Sequence, residues 1–420
     1  MAQGFRKVKH SPSGGIQVEG HRLAQDIEQI AAFTEQDPEI GFSRPTFSPS
    51  WRRARDYVAE EARKAGCAVR IDAAGNLHAR PAARGWREKV WLCGSHVDSV
   101  PTGGRFDGVT GVVVALEVLR AAPDAPIELI VFAEEEGTTF NLGMLGSRAW
   151  TGSSNVDALR ALRNRAGLDY LAAGAEHGVD PSRLETERFD PSLYLGLIEA
   201  HVEQGPGLWN ADKPVAVVTA IAGRRQYGCT LTGEANHAGA TSMTDRRDAL
   251  AGAAEAVTAL EALGRTLDRT QGHSVVTVGR LDVQPNAVNV IPGRVSFTID
   301  FRARSNEALA DGDMQVRKLV QGIAEARGLG LELACTEEVP AVPLDPGVCE
   351  RLREAAWRLE IELPETVSGA LHDTAILAPL LPAAMLFVAS RGGISHNPKE
   401  FSRIDDIACA ARIVAEAVCR

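Results

Sequence analysis

Four stretches of this chain run from apolar residues straight into side chains that hold metals or move protons. In GSHVDSVPTGGRFDG these are His96, Asp98 and Asp107, set in a glycine-rich turn. Imidazole suits zinc and similar borderline cations, and one carboxylate can bind two cations through its two oxygens. Asp98 lies two residues from His96, so on a strand both point to the same side. It is placed to accept the second imidazole proton and orient the ring. In AEEEG, Glu134, Glu135 and Glu136 follow a buried-strand pattern. Three adjacent carboxylates at a buried edge repel one another unless cations offset them. Neighbouring strand residues face opposite ways, so one glutamate can bind a cation while another takes a proton from water. His201 in EAHVEQGP and His396 in GGISHNP complete the set. Each histidine alone reads as well as a structural residue in a polar turn. Five ligand-type residues at the strand ends of one sheet do not.

The elements that must position these groups read as an α/β domain. Apolar strands KVWLC, IELIVF, YLGLI and AMLFV alternate with helices such as VTGVVVALEVLRAA. In open sheets of this kind, ligands gather at the carboxyl ends of the strands, where all four polar clusters fall. The segment from MLGSRAW to about Glu187 reads as mostly helical. Between about 214 and 340 the pattern changes to β-α-β-β-α-β, a split ferredoxin-like unit. The expected organisation is a catalytic domain over 1–213 and 341–420, interrupted by an inserted domain over 214–340.

Composition sets the outer limits. Charged residues make up 24% and apolar residues 45%, as in an ordinary globular protein. The net charge of −10, with no basic stripe, argues against a nucleic-acid binder. Seven scattered cysteines without a C-x-x-C pair fit a reducing compartment and offer no thiolate zinc site. No apolar run is long enough to span a membrane, and the basic N-terminus lacks the apolar core of a signal peptide. The expected location is the cytoplasm.

These stretches, with MLGSRAW, TGEANHAGATSMTDRRDAL, PNAVNVIPG, FTIDFR and SRGGISHNP, resemble the M20-type metallohydrolases. The closer resemblance is to their hydantoinase/carbamoylase branch, for which HVEQGP and TGEANHAG are distinguishing. The matches run in order along nearly the whole chain. The resemblance implies a mixed-sheet α/β/α catalytic domain with an inserted ferredoxin-like lid and dimerisation domain. It implies two divalent ions, with zinc the default and manganese, cobalt or nickel tolerated. His96 and His201 would hold one ion and Glu136 and His396 the other, with Asp107 bridging them. Glu135 would be the general base and Asp98 the partner of His96. Aligned on Gly137, EEEG stands where the branch has Asn-Glu-Glu-Gly; a one-residue shift would make Glu134 the base and Glu135 the ligand. A second departure is Leu371-His372-Asp373-Thr374, where the branch has Gly-His-Asp-Ala.

From the inserted domain the resemblance implies that Arg302 grips a substrate carboxylate, assisted by Asn289. His237 would stabilise the developing oxyanion, acting in trans in a homodimer. Gln204 is placed to contact the ureido group. The implied substrate is a small carboxylate-bearing ureide, first an N-carbamoyl-L-amino acid that yields amino acid, ammonia and carbon dioxide. N-Carbamoyl-β-alanine and allantoate fit the same features. Two other readings stay open: an M20 aminopeptidase or aminoacylase, and a catalytically dead ligand-binding relative.

Overall fold

The computed structural model of the protein describes residues 16–420; expectations for the first 15 residues lie outside the described residues. The strands in chain order begin with β1 (Cys67–Ile71), β2 (Leu77–Pro81), β3 (Val90–His96), β4 (Ile127–Phe132) and β5 (Tyr194–Val202). Next come β6 (Val215–Ile221), β7 (Gly223–Thr232), β8 (Ser274–Thr277), β9 (Leu281–Gln284) and β10 (Arg294–Ala303). The last are β11 (Gly330–Val339), β12 (Val342–Pro343), β13 (Glu365–Ser368) and β14 (Ala383–Val388). Two compact units result. One comprises the described residues up to Thr219 together with Leu344–Thr366 and His372–Arg420. The other comprises Ala220–Pro343 and Val367–Leu371, so the chain crosses between them within β6.

The first unit is built on a mixed sheet in the order β1-β2-β4-β3-β5-β14-β6. Its centre is parallel: β3 runs alongside β4 and β5, and β14 alongside β5. These four strands are buried along nearly their whole length, as continuous apolar runs require when both faces are covered. His96 lies level with Phe132, and His201 with Phe387, so the four carboxyl ends meet along one edge. The helix Val109–Ala121 packs on β3 and β5. It comes close because position 111 is glycine; a Cβ there would overlap the Ala200 carbonyl. Val215–Ile221, apolar but for Thr219, falls within the segment expected to form the inserted domain from 214. It pairs with β14 in the large sheet.

The stretch after the helix Leu145–Thr151 is not mostly helical. It holds only the short helices Val156–Ala161 and Tyr170–Gly174 and one 3₁₀ turn, Ala175–His177. Left-handed Gly152, Gly167 and Gly178 punctuate it, and Asn155 and Asp169 cap helices that barely extend. Glycine and capping signals outweigh the helical periodicity of DALRALRNR.

The second unit has the sheet order β11-β7-β10-β8, with β9 continuing beside β10. All pairs are antiparallel. Helices Ala249–Gln271 and Asn306–Ala326 contribute to a separate apolar core with alternate residues of β7 and β10. Val295, Phe297, Ile299, Phe301 and Ala303 enter that core, leaving Ser296, Thr298, Asp300 and Arg302 on the opposite face. No helix among the described residues is long and apolar enough to cross a membrane. All seven cysteines are free.

Candidate metal centre

Each polar cluster is delivered by the end of a buried strand. His96 is the last residue of β3, and its Nδ1–H donates to the backbone carbonyl of Asp98 at 3.0 Å. The Asp98 carboxylate stands 3.8 Å from that nitrogen and instead accepts the Glu136 N–H at 3.1 Å. The expected carboxylate partner of His96 is therefore a carbonyl from the same residue. The Asp98 side chain ties β3 to the glutamate turn. His201 donates Nδ1–H to the Val202 carbonyl at 2.9 Å. In the His96 ring the bond at Nδ1 leaves Nε2 as the lone-pair-bearing nitrogen of the neutral tautomer; burial works to lower the His201 ring, but its contact with Asp107 outweighs this and pushes it up to about 9, so its Nε2 holds a proton that a cation would displace.

Asp107 lies at the centre. Its Oδ1 is 3.1 Å from His201 Nε2 and 3.9 Å from His96 Nε2. Its Oδ2 is 3.2 Å from His396 Nε2, and Glu136 Oε2 is 3.5 Å from that same nitrogen. Two groups of potential ligands thus share one carboxylate: His96, Asp107 and His201, and Asp107, Glu136 and His396. Within each group the ligand atoms lie within 4.8 Å of one another. His96 and His201 are almost wholly buried, whereas the His396 side chain is 49% exposed, so the second group is the more open. Glu135 Oε2 sits 3.6 Å from His96 Nε2. Glu134 faces elsewhere, its Oε1 accepting the N–H groups of Thr139 and Phe140 at 2.7 and 2.9 Å. Of the three, Glu136 is the one grouped with Asp107 and His396.

The donor set fits divalent cations. His96 Nε2, His201 Nε2 and Glu136 Oε1 are buried with no aligned hydrogen-bond partner, a costly state for polar atoms that a cation would relieve. Burial, then the charges of Glu136, Asp373, Asp98 and Asp107, pushes the Glu135 carboxyl well above its ordinary range. Burial and Asp107 do the same to Glu136. Burial holds His96 down at about 4, which keeps it neutral and ready to ligate. Burial also works to raise Asp107, but its contacts with His201 and His396 outweigh this and hold it well below the usual carboxylate range. It stays an anion.

Several further residues support this centre, and apart from Gln204 none of them is singled out by the sequence. Gln204 donates Nε2–H to Asp107 Oδ2 at 2.9 Å while its Oε1 is buried without an aligned partner; its backbone is left-handed (φ 56°). Ser395 Oγ lies 2.9 Å from both Asp107 Oδ2 and Glu400 Oε1. Glu400 Oε2 accepts the N–H groups of Phe106 and Asp107 at 2.7 and 3.1 Å, clamping the Asp107 turn. Arg44 is fully buried, donates to the Val97 carbonyl at 2.8 Å, and supplies positive charge towards Asp98, Glu400 and Glu136. Gly108 has φ 67° and lies against the His96 ring, which a Cβ there would overlap. Only Ser395 and Gly108, next in sequence to His396 and Asp107, could have been flagged by adjacency.

The remaining expected residues lie in the second unit. His237 is exposed, and its Nδ1 accepts the N–H groups of Gly239 and Ala240 at 3.0 and 3.1 Å. That pattern puts the ring proton on Nε2, as an outward donor. Asn289 is brought beside it, the Ala238 N–H bonding the Asn289 carbonyl at 2.9 Å. Arg302 lies on the open face of β10.

Residues 92–420 match the peptidase family M20/M25/M40. The chain belongs to that family. It is 37% identical over 407 residues to an N-carbamoyl-L-amino acid amidohydrolase of Geobacillus stearothermophilus, covering 96% of this chain and 98% of that protein. It is 34% identical over 387 residues to an allantoate amidohydrolase of Bacillus subtilis, covering 90% and 92%. Among solved structures it resembles a hydantoinase/carbamoylase family amidase from Burkholderia multivorans, with TM-score 0.87, 35% identity and coverage of 96% and 98%. This M20 chain is therefore similar over nearly its full length to enzymes that share the α/β catalytic architecture.

If Gln204 and Ser395 hold Asp107 for metal binding, Gln204→Leu and Ser395→Ala should each weaken zinc retention about 10- to 100-fold. Competition with a chromophoric chelator measures this. Wild-type retention in both variants would contradict the assignment.

Proposed function

We propose that this M20 chain is a binuclear-metal amidohydrolase that cleaves the carbamoyl C–N bond of N-carbamoyl-L-amino acids. The observation that carries the reading is the single carboxylate, Asp107, whose two oxygens face two different sets of ligand atoms. His96 and His201 would hold one cation, Glu136 and His396 the other, and Asp107 both. Zinc is the default for these N/O donors, with manganese, cobalt and nickel tolerated. When bound, such cations polarise a carbonyl and make water more acidic.

The chain's own residues supply the rest. Glu135 takes a proton from the attacking water and returns it to the leaving nitrogen; its raised proton affinity suits both tasks. His237, with its proton on Nε2, donates to the carbonyl oxygen as negative charge develops there. That help matters because both nitrogens of a ureido group feed electrons into the carbonyl and dull it as an electrophile. Arg302, assisted by Asn289, grips the substrate carboxylate. The products are amino acid, ammonia and carbon dioxide. The second unit serves as lid and dimerisation domain, and His237 serves the partner's site in a homodimer. The free cysteines suit a cytoplasmic location.

A second reading, allantoate hydrolysis, is favoured by the allantoate amidohydrolase similarity. Metal-reconstituted protein should release ammonia fastest from N-carbamoyl-L-amino acids, more slowly from N-carbamoyl-β-alanine and allantoate. Glu135→Gln should keep its metal and lose at least about 100-fold in kcat. Allantoate as the fastest substrate, or an unimpaired Glu135→Gln, would overturn the corresponding assignment. For His237, subunit exchange between inactive His237→Ala and Glu135→Gln dimers should restore part of the activity; verified exchange without recovery would rule out action in trans.

A further inference from the structure

Arg302 is held by contacts that decide which edge of its guanidinium remains free. Asp300 and Arg302 are two residues apart on β10 and so share its open face. Arg302 donates Nε–H to Asp300 Oδ1 at 2.9 Å, and Nη2 lies 3.4 Å from Asp300 Oδ2. Gln226, directly opposite Asp300 on β7, donates Nε2–H to Asp300 Oδ2 at 3.0 Å. On its other side Arg302 donates an Nη1 proton to the Gly369 carbonyl at 2.7 Å.

A guanidinium can grip a carboxylate in two bidentate ways, side-on through Nε and Nη2 or end-on through Nη1 and Nη2. Asp300 occupies the side-on edge. The Gly369 carbonyl takes one of the two Nη1 protons, so one proton on Nη1 and one on Nη2 remain for an end-on partner. Asp300 is itself fixed, because Gln226 restrains the oxygen that faces Nη2.

We infer that Asp300 is a specificity-determining positioning residue: by closing the side-on edge of Arg302 it forces the substrate carboxylate into the end-on position and so sets the spacing between carboxylate and scissile carbamoyl group. This rests on the reading of Arg302 as the carboxylate grip. The consequence concerns chain length. An α- and a β-amino acid derivative differ by one methylene between those two groups, and a single allowed grip position serves one spacing better than the other. With the side-on edge open, the guanidinium offers a second position and the discrimination falls. The charge of Asp300 also repels any bound carboxylate, but that acts on both substrates alike. The diagnostic quantity is therefore the ratio of the two kcat/KM values, rather than KM for either substrate.

The test compares kcat/KM for an N-carbamoyl-L-α-amino acid and N-carbamoyl-β-alanine in the metal-loaded full chain. Asp300→Ala should bring the ratio about tenfold or more closer to one. Asp300→Asn, which keeps an oxygen acceptor for Nε, should hold it within about threefold of wild type. Gln226→Leu, which leaves Asp300 in place but unrestrained, should shift it in the same direction as Asp300→Ala, and decides the matter if Asp300→Ala fails to fold. An unchanged ratio in Gln226→Leu and in folded Asp300→Ala overturns the inference. Arg302→Ala tests the underlying reading separately. It should lower kcat/KM about 30-fold or more on carboxylate substrates while sparing N-carbamoyl amino acid amides. Equal losses on both would remove Arg302 as the grip, whatever Asp300 does.

Discussion

The site depends on one buried anion that potential ligands approach at both of its oxygens. Asp107 presents Oδ1 to two imidazoles and Oδ2 to a third imidazole, while a glutamate pair closes in beside it. Without cations this is an expensive arrangement, since desolvated carboxylates repel one another and two buried imidazole nitrogens have no aligned partner. Much of the neighbouring structure works to hold that anion in place. Glu400 clamps its backbone, Gln204 and Ser395 bond its outer oxygen, and Gly108 leaves room for the ring of His96. The helix Val109–Ala121 begins immediately after it, so the helix dipole favours negative charge there.

The three glutamates are set apart by the turn that follows β4, in which Glu134 is left-handed (φ 55°). Glu136 is tied through its backbone to Asp98 and faces His396. Glu135 faces His96. Glu134 is consumed by the turn that presents the other two. In the second unit, donor groups are likewise fixed by their own neighbours. His237 has its tautomer set by two backbone N–H groups, and Arg302 has its free edge set by Asp300 and Gly369.

Much of this was legible in the sequence. Buried parallel strands are written as uninterrupted apolar runs, and polar residues that end them collect at one sheet edge. That reasoning draws His96, Asp107, the glutamates at 134–136, His201 and His396 towards one edge; the choice of Glu136 among the glutamates rests on the resemblance alone. What it missed are contacts set by tertiary approach. Nothing local in NPKEF marks Glu400 as the acceptor for the Phe106 and Asp107 amides, nearly three hundred residues earlier in the chain. The hydrogen bond from Gln204 to Asp107 was not foreseen, because a left-handed backbone cannot be read from a non-glycine residue. Asp98 was given the right partner but the wrong atom, since a strand pattern orients side chains and does not reveal which carbonyl a ring will meet. Val215–Ile221 has the same appearance in either sheet, so only its pairing with β14 assigns it.

The most direct test is anomalous diffraction from crystals grown with zinc or manganese. Two peaks should flank Asp107, each about 2.0–2.2 Å from one of its oxygens, one beside His96 and His201 and the other beside Glu136 and His396. A single peak, or two peaks of which only one touches Asp107, would contradict the shared-carboxylate centre.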